Sequence, residues 1–268
     1  MLKSNFKISF FLPICKKKVS LKEISNYYYI DLLKFIQNDK PDDIEEYFDF
    51  IINELTDISA NQLCNIDKFY ILLELRALSL GSKIELSQDS INFKINLESI
   101  IKKIADIDLK NKTFSLDGIE YEISLPHNLY FNNIDILYSS ISKIDGNLID
   151  IKPNTEIADL IPSNIFKYIK EYILNANNKL SELVILEKRE QPKIEEWRGN
   201  PYNNSLFDFL KLIYADNLMN FYEMQFNLIT KMHVSYDHFM SMTYNESKLF
   251  INLENKEIKK QEEEIGRA

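Results

Sequence analysis

Glycine is nearly missing from this chain, with five residues in 268. Motifs that cradle phosphate on glycine backbone have almost no material to build from, which argues against a nucleotide-binding fold. Cysteine occurs twice, as Cys15 and Cys64, and neither number nor spacing describes a disulfide framework or a zinc site; free thiols are expected. No apolar run approaches the roughly 18 residues of a membrane span, so a soluble, cytoplasmic protein is expected. Basic residues are outnumbered 32 to 41, giving a formal net charge of -9, a balance that argues against nucleic acid as the main partner.

The N-terminus, "MLKSNFKISFFLPICKKK", has the outline of a secretory signal but not its parts. Its apolar run is about eight residues, contains Pro13, precedes its main basic cluster and lacks a small residue before Cys15. A strand entering a turn fits better. Alternation at Phe6, Ile8 and Phe10, a turn near Pro13 and a return strand through Val19 describe a hairpin. Ser20 stands three residues before Glu23, the capping-box spacing, and predicts a helix from Ser20 to near Asn38. Pro41 suits the first turn of the next helix, which carries Ile44, Phe48, Ile51 and Leu55 on one face.

"FYILLELRALSLGSKIEL" predicts a helix beginning after Asn65 and ending at Gly81 in a left-handed cap. On it, Asp67 and Glu74 lie opposite the apolar face, and Arg76 borders that face with no carboxylate three or four residues away. Its expected partner is a carboxylate from another element, with Glu120 and Glu122 as candidates. Strands follow: Ile91, Phe93, Ile95 and Leu97 alternate, and "TFSLDGIEYEISL" is a hairpin around Asp117-Gly118. From about Pro153 the period lengthens to that of helices, with Ile165, Ile169, Tyr172, Ile173, Ala176, Leu180 and Leu183 as a stripe. Residues 187–205 hold two prolines and a glycine among polar side chains and read as a long loop. Two more helices follow, one marked by Leu206, Phe209, Leu210 and Ile213, the other by Leu218, Phe221, Tyr222, Leu228, Ile229 and Met232. Thr243 and Glu246 open a last helix whose apolar stripe, Leu249, Phe250 and Leu253, gives way to the charged tail "ENKEIKKQEEE". The expected fold class is α+β: strands, hairpins and helices over residues 1–152, then an α-helical part over 153–268.

Candidate chemistry is sparse. His233 and His238 are five apart, which misses the spacing that puts two ligands on one helical face, although Asp237 lies between them. In "LIDIK", Asp150 and Lys152 alternate onto one strand face, as in metal-dependent nucleases, with Asp135 or Asp145 as a further carboxylate. Strand-end charges are the simpler account. Trp197, the single tryptophan, stands beside Arg198 in the polar loop and is either an interface anchor or a loop anchor on its own domain.

At "IDKFYILLELRALSLGSKIEL" the chain resembles the baseplate hub and hub-assembly proteins of T4-like contractile-tailed bacteriophages, with an aromatic helix start, a lone arginine, Ser-x-Gly and a strand over Ile66 to Leu86. The block from "SLFDFLKLIYADNLMNFYEMQF" to the charged tail is similar to that family's C-terminal helices, and the opening strand with "SLKEI" adds to the likeness. After the first hairpin the chain departs from the pattern, having only "VSLKEISNYYY", so the choice between hub subunit and assembly factor stays open. The resemblance implies a non-enzymatic structural or assembly protein of the hub, without cofactors, made in the host cytoplasm and bound to other hub proteins in a heteromeric complex. It implies no nucleic-acid, membrane or small-molecule partner. Arg76, Trp197 and Arg198 are the candidate partner-binding residues. The competing readings are a metal-dependent nuclease and an unrelated protein-binding adaptor.

Overall fold

Val19 and Leu21 carry the first surprise, because their side chains point the same way and are fully buried, as a strand requires and a helix does not. The computed structural model describes residues 7–88, 91–107, 109–130, 140–148, 162, 164–180, 184–187, 196–198, 204–215 and 218–265. In it β1 (Lys7–Phe11) pairs antiparallel with β2 (Lys18–Lys22), placing Ile8 opposite Leu21 and Phe10 opposite Val19. The helix predicted at Ser20 therefore begins later, as α1 (Asn26–Asn38). Ser20 lies in β2 opposite Ser9, and its N–H donates to Asp57 at 2.9 Å. Pairing and burial of two alternate side chains outweigh a local cap.

Asp39, in the left-handed region at φ 52°, ends α1, and Pro41 opens α2 (Pro41–Leu55), which buries Ile44, Phe48, Ile51, Ile52 and Leu55 as its period predicts. A 3₁₀ turn, Ala60–Gln62, leads to α3 (Asn65–Leu80). Unlike the two-faced helix expected, α3 is buried nearly all round: Asp67 and Lys68 are as enclosed as Phe69 and Leu72. Gly81 ends it with φ 97° and ψ 154°, positive in φ but extended in ψ rather than left-handed helical.

Hairpins follow in series. β3 (Lys83–Gln88) pairs with β4 (Ile91–Asn96), which runs straight into α4 (Leu97–Ala105), and the Asn96 side chain caps that helix at Glu98 N. β5 (Lys112–Leu116) and β6 (Ile119–Ile123) pair around Asp117 and Gly118, both at positive φ (52° and 83°), the conformation a tight two-residue turn demands. β7 (Ile141–Ile144) and β8 (Asn147–Leu148) extend this into a four-stranded antiparallel sheet in the order β5-β6-β7-β8. Their turn is a second Asp-Gly pair, Asp145 and Gly146, with φ 48° and 77°.

Helices then dominate: α5 (Ile165–Leu180), α6 (Ser205–Tyr214), α7 (Leu218–Thr230), α8 (Tyr236–Ser241) and α9 (Tyr244–Ile265). α5 buries Ile165, Ile169, Tyr172 and Ala176. The stretch expected to be a loop contains a strand: β9 (Val184–Glu187) pairs antiparallel with β10 (Glu196–Arg198), so Trp197 lies opposite Leu186. Such a strand was hidden because prolines and charges dominate the composition around it, while three residues carry too little alternation to read. The α+β reading holds, with antiparallel strand pairs and helices leading into a helical C-terminal part.

Apolar contacts join the first helices to the last. Phe48 meets Phe207 at 6.3 Å and Tyr214 at 6.0 Å between ring centres, and Phe69 meets Phe209 at 6.0 Å. Tyr29 on α1 meets Phe221 of α7 at 6.1 Å and Tyr244 of α9 at 5.1 Å. Asn26, fully buried, donates from Nδ2 to Phe239 O at 2.9 Å and to Ser247 Oγ at 2.7 Å.

Candidate functional site

Among the described residues, the most enclosed charges, Asp67 and Lys68, lie side by side on α3. Asp67 accepts the N–H groups of Ile14 (2.9 Å) and Cys15 (3.1 Å), holding the β1–β2 turn on the first turn of α3. Burial raises its carboxyl above the ordinary range, and those two backbone bonds oppose the rise. Both cysteines, Cys15 and Cys64, are free, and burial likewise raises their thiols. Lys68, with a side chain 2 % exposed, meets Asp49 of α2 at 2.7 Å. Beside this pair, Glu45 of α2 accepts from Leu129 N (2.8 Å) and Tyr130 N (2.9 Å); burial raises its carboxyl, against the pull of Lys68. Asp67 and Glu45 therefore each fix a turn or loop of the same chain, while Asp49 ties α2 to α3.

Arg76 does the same with its donors. Its Nε donates to Ile213 O at 2.8 Å and its Nη1 to Gly81 O at 2.9 Å, so one guanidinium serves the carbonyl-rich ends of both α6 and α3. Tyr214 reinforces this junction by donating from Oη to Leu72 O at 2.7 Å. The two expected carboxylate partners, Glu122 and Glu120, have other bonds. Glu122 pairs with Lys143 at 2.8 Å and accepts from Asn111 at 2.7 Å, which lowers its carboxyl below the ordinary range. Glu120 O accepts Asp145 N at 2.7 Å, and Glu120 N donates to the Asp145 side chain at 2.8 Å.

A cleft of about 300 Å³ opens on another side of α3, against β1 and α4, lined by Ile8, Tyr70, Glu74, Leu78, Glu98 and Lys102 among others. Glu74, expected opposite the apolar face, sits half-buried here; burial raises its carboxyl, and the Tyr70 hydroxyl bonded to it opposes that. Tyr70 is pushed up in turn by burial and by the Glu74 charge. Sequence reasoning missed this cleft because Ile8, Glu74 and Lys102 are far apart in the chain. The one local sign was two titratable residues four apart, Tyr70 and Glu74.

The other expected site residues scatter. His233, Asp237 and His238 are exposed in and before α8. Asp145 is a turn residue. Asp135, Asp150 and Lys152 lie outside the described residues, and of Trp197 and Arg198 only the backbone placement in β10 is described. Among the described residues no group of three or more His, Cys, Asp and Glu is placed to hold a metal ion, and no helix is long and apolar enough to cross a membrane.

A family model described as T4 bacteriophage base plate protein matches residues 3–182. The chain belongs to this family. The match runs from β1 to the end of α5, and so contains α3, the Asp67 and Lys68 anchors, the cleft and the strand pairs up to β8. The C-terminal block on which part of the resemblance rested, α6 to α9, lies beyond it. No curated protein and no solved structure matches the chain. As a phage baseplate protein, it works in association with other baseplate proteins of the virion tail.

Proposed function

We propose that the chain is a non-enzymatic protein of the baseplate hub of a contractile tail, acting as a hub subunit or as a factor that assembles the hub in the host cytoplasm. What carries this reading is the use of the charged groups along α3. Asp67 and Arg76 on α3, and Glu45 on the neighbouring α2, bind this chain's own backbone, which is the behaviour of a scaffold held to one shape. The family match covers that same region. Its partners are other hub proteins in a heteromeric complex, with Trp197 and Arg198 on β10 and the rim of the α3 cleft as contact candidates. Arg76 supports such contacts by fixing the α3–α6 junction.

Co-expression with the other hub proteins of the same phage, followed by affinity pull-down, tests the proposal: a stable heteromeric complex is expected, and its absence removes the hub reading. Mass spectrometry of purified virions then separates subunit from assembly factor. With magnesium or manganese, the purified protein is expected to leave single- and double-stranded DNA intact. Cleavage that Asp150→Ala abolishes would put the nuclease reading first.

A further inference from the structure

α9 is apolar on two faces, and the fold uses one of them. At 100° per residue, Tyr244, Ser247, Ile251 and Glu254 share the side that is buried or half-buried against the body. Leu249 and Leu253 project on the opposite side, 57 % and 52 % exposed, with Phe250 on their flank at 38 %. A single exposed leucine needs no explanation; three large apolar side chains within five residues on the outer face of one helix form a seam.

The charges that continue this seam identify what covers it. Going toward the N-terminus the next residue in line is Glu246; going toward the C-terminus it is Lys256. We propose that α9 pairs antiparallel with α9 of a second copy of this chain, about a two-fold axis at the level of Ile251. In that register Leu249 packs on Leu253 of the second copy, and Glu246 stands level with Lys256 of the second copy. Symmetry gives each contact twice. The two Phe250 side chains fall on the same flank of the seam and close over the axis. A parallel, in-register pair would set Glu246 against Glu246 and Lys256 against Lys256, like charge against like. Glu246 keeps its capping bond to Thr243 N (2.8 Å) through one carboxylate oxygen, leaving the other for the second copy. One short helical seam is smaller than the roughly 800 Å² per partner of a standard interface, so the dimer is weak and forms as local concentration rises. The inference stands on α9 alone and does not depend on the hub proposal.

Analytical ultracentrifugation of the full chain is expected to show the mass moving from one chain to two between about 1 and about 100 µM. Leu253→Asp abolishes the shift, while far-UV circular dichroism stays unchanged because the side chain is already half in water. Lys256→Glu, which sets two carboxylates level, weakens association about tenfold. Mixing Leu249→Cys chains with Leu253→Cys chains under mild oxidation gives a 249-to-253 cross-link, mapped by peptide mass spectrometry, in higher yield than either variant alone. A wild-type chain that stays monomeric to about 100 µM overturns the proposal. So does a cross-link between two copies of residue 249 as the main product, or a Leu253→Asp chain that still dimerises.

Discussion

Arg76 stands where the ends of two helices converge and donates to a carbonyl of each. Arg76→Ala would leave Ile213 O and Gly81 O without this donor in a half-buried place. Bonds to a charged group contribute about 1.5 to 3 kcal/mol, so a loss of about 2 to 3 kcal/mol is expected in urea unfolding, with Arg76→Lys recovering only part because an ammonium lacks the planar fork. Glu74 gives the second expectation at this scale. Its carboxyl is raised by burial, so the folded chain holds the proton to higher pH than the unfolded chain does. Stability from this group is thus fully present below the ordinary value of 4.5 and is lost as pH rises through the higher folded value. Glu74→Gln keeps an acceptor for Tyr70 without the charge. The variant should gain on the wild type as pH climbs above 4.5, measured by urea unfolding at a series of pH values. Glu122, lowered by Lys143, has the opposite sign: its contribution is present above the ordinary value and lost as pH falls through the folded one. That Arg76 needed a partner was legible in the sequence. Which partner it found was not, since Ile213 is more than half the chain away and carbonyls carry no sequence signal.

At the scale of the element, turns and caps were the readable features. Asp117-Gly118 makes its hairpin, Pro41 opens α2, and Thr243 with Glu246 forms a reciprocal box, Thr243 N to Glu246 Oε2 at 2.8 Å and Glu246 N to Thr243 Oγ1 at 3.2 Å. These are local devices whose residues are within a few positions of each other. "SLKE" had the same spacing and misled, because strand pairing with β1 claimed Ser20 first. The end of α9 is helical and exposed: from Asn255 to Gln261 every side chain faces solvent. Deleting residues 255–268 should therefore leave the melting temperature of the monomer nearly unchanged in calorimetry at low concentration. A large drop would mean that the tail packs on the body.

For the whole molecule, the contacts of Phe48, Phe69 and Leu72 with α6 make the first half depend on the second. A fragment of residues 1–152 would expose these faces and is expected to lack cooperative unfolding and dispersed amide resonances, whereas the full chain shows both. Taken alone, the sequence determined that helices follow strands, where the Asp117-Gly118 turn and the α2 and α9 starts fall, and, by resemblance, the baseplate family. Periodicity and capping act over a few residues, and the family likeness lies along the chain itself. The tertiary structure decided the rest: that Ser20 is a strand residue, that α3 is buried nearly all round, that Arg76 holds two helix ends, and that Leu249 and Leu253 stay uncovered. Each of these depends on which distant segment comes to lie alongside, and burial by a distant neighbour is a property that no short window of sequence contains.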